Sequence, residues 1–252
     1  MAFPLRALLC AALTAWSMIA SAAYDNPRDI IKAAIEHERD NSSYSVMEMI
    51  IHRPSWERSM TLKVWTEGLK KSLMRVIEPK KDAGNGNLLI DDEMWTFTPK
   101  INRVIKLPSS MMHQSWMGSD FSNNDVAKAD DIINQYDHRL LGTETQDGMT
   151  VYVIESIPHE NAPVVWGKEV VKVREDFILL EHTFYDQDGK AVKRLNTLAI
   201  EKMGGKRIAS RMRMNKIEQP EEWTEIRMHE AQFNIDLPAN LFTLSSLRNP
   251  RR

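Results

Sequence analysis

Two hydrophobic periods divide this chain. Ile30, Ile31, Ala34 and Ile35 recur at helical spacing between Pro27 and Arg39, with Asn26 placed to cap and Pro27 in the first turn. From Ser42 onward the period is two. Tyr44 to Ile51, Ser59 to Thr66 and Leu69 to Ile77 alternate apolar and polar residues between turn signals such as Arg53-Pro54 and Glu67-Gly68. Leu88 to Ile90, Met94 to Thr98 and Arg103 to Leu107 follow as shorter runs. Beyond residue 135 the alternation resumes at Tyr136 to Leu141, Met149 to Ile157, Lys168 to Val173 and Ile178 to Tyr185. Asp186-Gln-Asp-Gly189 then reads as a hairpin turn into Val192 to Lys202, and Arg207 to Ile217 and Thr224 to Phe233 close the series.

The pattern predicts a mainly β chain of roughly ten or eleven consecutive antiparallel strands, preceded by one helix. A meander of that length shelters its edges and buries one face by curling into a strongly curved sheet or barrel. Alternation selects Met47, Met49 and Ile51, then Met60, Leu62 and Val64, then Met74 and Val76 for the inner face, with Trp95 and Phe97 continuing it. A concavity of this kind is either filled by side chains or left as a pocket for a ligand.

One stretch fits neither period. Pro108 to Gly118 carries Met111, Met112, Trp116 and Met117 with no regular spacing, and Ser122-Asn-Asn-Asp125 then offers a helix cap. Large apolar side chains on a loop are costly to leave in water and hard to pack as a regular element.

Composition sharpens the picture. The 252 residues include 15 Met and 7 Trp against 10 Gly and 11 Pro. Methionine suits apolar surfaces that accept more than one shape. Arg6, the apolar run Ala7 to Ala20 and Ala20-Ser-Ala22 read as an export signal, residues 1–22, cleaved to leave one domain over 23–252. The run is shorter than the ~20 residues a membrane-spanning helix needs. Cys10, the single cysteine, lies inside that signal, so the mature chain has neither disulfide nor thiolate chemistry. An exported, disulfide-free chain suits the periplasm. The net charge of −2 is spread evenly, which gives nucleic acid or lipid headgroups no basic patch to bind.

Catalytic and metal chemistry have little support. The seven histidines are scattered, Glu36-His37-Glu38 diverges on a helix, and no nucleophile elbow or phosphate loop occurs. No cofactor, metal or catalytic residue is expected.

Trp95-Thr-Phe-Thr-Pro99, Arg103-Val-Ile-Lys-Leu-Pro108 and Ser115-Trp-Met-Gly-Ser-Asp-Phe121 carry a family resemblance, extended by Val165-Trp-Gly167, Gly205-Lys-Arg-Ile208 and Leu241-Phe-Thr-Leu244. In these the chain resembles the outer-membrane lipoprotein-sorting family, LolA/LolB-like proteins associated with transporters of the resistance-nodulation-division type. The resemblance implies an unclosed antiparallel β-barrel of about eleven strands with a helical lid over an apolar cavity. It implies a monomeric periplasmic carrier of lipid or lipoprotein acyl chains, working with an inner-membrane transporter, and not an enzyme. The cavity would be lined by Met47, Met49, Met60, Leu62, Val64, Met74, Val76, Trp95 and Phe97, under a lid of Met111, Met112, Trp116 and Met117. A transporter-docking accessory protein without lipid carriage is the alternative, with the same lid residues as an exposed anchor.

Overall fold

The computed structural model describes residues 26–249. The export signal read at residues 1–22, and Cys10 with it, lie outside the described residues. The helix α1 (Pro27–Arg39) starts where the pattern predicts, with the Asn26 side chain accepting a hydrogen bond from the Arg28 amide at 3.0 Å. That bond satisfies one of the first-turn donors a helix leaves unpaired.

Thirteen antiparallel strands follow, more than the ten or eleven expected. They are β1 (Ser42–Arg53), β2 (Trp56–Glu67), β3 (Lys71–Glu78), β4 (Gly86–Ile90), β5 (Glu93–Thr98) and β6 (Arg103–Lys106), then β7 (Tyr136–Gln146), β8 (Met149–Pro158) and β9 (Lys168–Arg174). The last four are β10 (Leu179–Tyr185), β11 (Ala191–Met203), β12 (Lys206–Lys216) and β13 (Trp223–Phe233). The thirteen predicted runs coincide with these strands one for one, so the total of ten or eleven undercounted the runs themselves.

All thirteen form one sheet in the order β6-β5-β4-β3-β2-β1-β13-β12-β11-β10-β9-β8-β7. Chain order is therefore kept within each half, and β1 joins β13 at the middle. β6 and β7 end the sheet as unpaired edges, so it is open, a barrel-like sheet that does not close. Among the described residues no helix is long and apolar enough to cross a membrane.

Two segments cover one face of this sheet. Over β7, β8 and β9, α1 packs with α3 (Asp131–Asn134): Ile30, Ile31 and Ala34 meet Ile132, Ile133, Ile154, Val171 and Val173 in a buried cluster. Over β1 to β5, the chain between β6 and β7 takes the same role. On the opposite face of the first half, the C-terminal helix α4 (Leu244–Arg248) seats Leu247 against Leu73, Leu88 and Phe97. Arg75 on β3 holds it there, donating from Nη2 to the carbonyls of Ser246 at 2.6 Å and Leu247 at 3.2 Å.

Candidate functional site

The inner face of the first half is built by register. Met49 lies opposite Met60, Met47 opposite Leu62, Leu62 opposite Val76 and Val64 opposite Met74. Directly opposed side chains on one face touch, so these pairs fuse into a continuous apolar surface. Met49, Met60, Leu62, Val64, Met74 and Val76 are all buried there, joined by Leu89, Met94 and Ile226. Met47 packs on the same cluster and stays partly exposed.

Trp95 and Phe97 correct the expectation. Neighbouring residues of a strand point to opposite faces, and on β5 Met94 belongs to the inner cluster while Trp95 and Phe97 belong with Leu73, Leu88 and α4. The two aromatics therefore pack under the C-terminal helix and are not part of the methionine wall.

The expected lid lies directly on that wall. After β6, the chain makes 3-10 turns at Ser109–Met111 and Trp116–Gly118, then the short helix α2 (Asn123–Ala127). Trp116 is only 5% exposed and donates its Nε1 hydrogen to Asn87 Oδ1 at 3.0 Å. Met112, Met117, Leu107, Phe121 and Val126 pack against the same cluster, whereas Met111 is 38% exposed at its margin. In this conformation the segment's own side chains occupy the apolar surface.

Three sets of contacts fasten it. The segment closes on itself, with the Trp116 amide donating to the Phe121 carbonyl at 2.8 Å and the Asn124 amide to the Met112 carbonyl at 2.8 Å. Ser122 caps α2 as the pattern predicts: its Oγ accepts from the Asp125 amide at 3.1 Å, and Asp125 Oδ2 accepts from the Ser122 amide at 2.7 Å. Asp125 also meets the buried Lys193 of β11, whose ammonium lies 4.9 Å from the ring centres of both Trp166 and Phe184. The third contact joins Asp120 to Arg53 at the end of β1, with Nη2 3.0 Å from Oδ1 and Nη1 3.1 Å from Oδ2.

Met117 sits in this segment at a φ of 54°, the left-handed region that a side chain with a Cβ adopts at a cost of about 1–2 kcal/mol. That strain is held in place by the fastenings on either side. The sequence reading gave Arg53, Asp120, Lys193 and Asn87 no part in holding the lid, and Asp125 only that of a cap, because polar residues that fasten distant segments carry no local periodicity.

Between segment and sheet lies a cavity of about 470 Å³. Its lining is mixed: Met60, Val76, Leu107 and Trp116 contribute apolar carbon, Asn87 and Thr96 polar groups, and Arg58 a charge. This falls within the ~300–1,000 Å³ of small-molecule sites. Among the described residues no three His, Cys, Asp or Glu side chains are grouped to hold a metal ion.

Known proteins agree with this architecture. A family model whose description reads "-like: Uncharacterized protein" matches residues 68–249. No curated protein matches the sequence. A DUF1329 family protein from Desulfovibrio piger is similar at 25% identity, over 88% of this chain and 99% of that one, with a TM-score of 0.79. A protein from Vibrio parahaemolyticus described as an outer membrane lipoprotein-sorting domain shares 22% identity over 88% of this chain and 98% of its own, with a TM-score of 0.76. A LolA superfamily protein from Nitrosomonas europaea shares 22% identity over 86% and 97%, with a TM-score of 0.70. The chain belongs to the family that this model matches, and it shares its fold with the DUF1329, lipoprotein-sorting-domain and LolA superfamily structures.

Proposed function

We propose that this chain is a periplasmic carrier that binds lipid, or the acyl chains of lipoproteins, on the methionine-lined face and shuttles them toward the outer membrane with a membrane transporter. In this reading residues 1–22 are the cleaved export signal and 23–252 the single lipid-binding domain. The observation that carries it is the lid: Trp116, Met112 and Met117 cover Met49, Met60, Leu62, Met74 and Val76, yet they belong to an irregular segment and not to the sheet. An acyl chain of ~14 methylenes gains on the order of 10 kcal/mol when buried, at ~0.8 per methylene. It can therefore replace the lid's side chains on that surface, and methionines repack around either occupant at little cost.

The cavity wall consists of Met47, Met49, Met60, Leu62, Val64, Met74 and Val76, and the lid of Met111, Met112, Trp116 and Met117. The docking alternative needs Trp116 as an exposed anchor, and the burial of that side chain speaks for carriage. The chain has no catalytic role in this scheme: its chemistry is enclosure and release.

Native mass spectrometry of the purified protein tests the reading. Co-purifying lipid, or saturable uptake of a fluorescent fatty acid, is the expected result, and its loss when Trp116 and Met117 are both replaced by Ser assigns the lid. A protein that is empty and takes up no fatty acid overturns it.

A further inference from the structure

The cavity under the lid is not uniformly apolar, and the charge on its lining has one sign. Among the described residues Arg58 on β2 is the only charged one that lines it. The guanidinium is incompletely used. Its Nη2 lies 3.1 Å from Asp82 Oδ2, yet Arg58 Nε and Asp82 Oδ2 are both buried without a hydrogen-bond partner. Buried donors of this kind are uncommon, because each forfeits its hydration without replacement.

Neutral polar groups line the same cavity. Asn87 commits its Oδ1 to Trp116 Nε1, which leaves its amide hydrogens for the cavity wall, and Thr96 sits across from Asn87 in the β4–β5 register. Met60, Val76, Leu107 and Trp116 supply the apolar part of the lining. Polar donors and apolar carbon thus share the lining, and among the described residues no carboxylate is part of it.

We propose that this cavity reads the head as well as the chain of its ligand, taking a single acyl chain that ends in a carboxylate, with the carboxylate on Arg58 and the chain against Met60, Val76 and Trp116. The assignment rests on the carrier reading of the same surface and adds a preferred ligand class to it. A fatty acid has one negative charge above its pKa and two acceptor oxygens, which matches one guanidinium with a donor to spare. Arg58 leaning toward Asp82 would pivot onto the ligand, so the same side chain reports whether the cavity is occupied. An uncharged chain of the same length meets the apolar lining and leaves that donor unpaired.

Calorimetric titration of the delipidated full chain at pH 8 with decanoic acid and with decanol tests this. Wild type is expected to bind decanoate at least about tenfold more tightly than decanol, the scale of one charge-assisted hydrogen bond. Arg58→Gln should bring decanoate down to roughly the decanol affinity, and Arg58→Lys, which keeps the charge, should restore most of the preference. Circular dichroism of both variants separates lost recognition from lost folding. Equal binding of acid and alcohol by wild type, or a preference that survives in Arg58→Gln, overturns head recognition and leaves carriage standing. Failure of wild type to bind either probe overturns both.

Discussion

Arg53 and Asp120 form a two-pronged ion pair across 67 residues of sequence, with the Asp120 side chain wholly removed from solvent. The carboxylate is further satisfied by Thr224, whose Oγ1 donates to Oδ2 at 2.6 Å and accepts the Asp120 amide at 2.9 Å. Arg53 in turn donates to the His52 carbonyl at 2.7 Å and lies 3.5 Å from Glu222. The pair joins the lid to the junction of β1 and β13, the middle of the sheet. Removing one member of a buried pair costs about 3–5 kcal/mol where the other charge is left uncompensated, and Glu222 beside Arg53 puts the loss of Asp120 at the low end of that range.

Asp120→Ala is therefore expected to release the lid before it unfolds the sheet. Amide exchange at Trp116 to Phe121 should accelerate by roughly 100-fold or more, at ~1.4 kcal/mol per factor of ten. Amides of β2 and β3 should change far less. Equal acceleration across both regions would make the pair a general structural contact and not a fastening of the lid.

Trp116 offers a finer cut. Trp116→Phe keeps the ring against Met60 and Val76 but removes the donor to Asn87, leaving a buried acceptor unpaired at about 1–3 kcal/mol. Chemical denaturation should show a loss in that range, and Trp116→Phe with Asn87→Leu should recover part of it by removing both polar partners. No recovery in the double variant would mean that the hydrogen bond matters little beside packing.

These contacts mark the limit of what the sequence could disclose. Period-two alternation located the strands because each face has a different solvent, and Ser122 with Asp125 was legible as a cap because both lie within one turn. The lid was visible as an apolar stretch without a period. Its fastenings were not, since Asp120 and Arg53, or Asp125 and Lys193, become neighbours only through tertiary folding. Trp95 and Phe97 misled for a different reason. β5 is apolar on both faces, Met94 on one and the aromatics on the other, so alternation alone does not say which face is inner.

Glu38 makes stability depend on pH. It ends α1 with Oε1 buried and unpartnered, and burial pushes its carboxyl up to about 7, against the opposing pull of Lys206 and Arg39. A raised acid pKa means the folded state holds its proton while the unfolded state has lost it. Stability therefore falls as pH rises from about 4.5 to about 7, and the full penalty stands above that window. The ceiling is about 3 kcal/mol at 1.36 per unit. Glu38→Gln should raise the urea midpoint at pH 8 and change it little at pH 4.5. An equal effect at both pH values would show that the carboxyl ionises normally.

Leu247 tests the corrected position of the two aromatics. It is fully buried against Leu73, Leu88 and Phe97, on the face of the sheet away from the lid. Truncating a buried leucine to alanine costs about 2–5 kcal/mol, set by how far the site can collapse. Leu247→Ala should thus lower global stability by that amount while amide exchange in Trp116 to Phe121 rises no more than in the rest of the sheet. Phe97→Leu should behave the same way. The two surfaces share strands but no side-chain contacts, so the losses from Leu247→Ala and Trp116→Phe should add to within about 0.5 kcal/mol. Strong non-additivity, or selective loosening of the lid by Phe97→Leu, would return the aromatics to the lid side of the sheet.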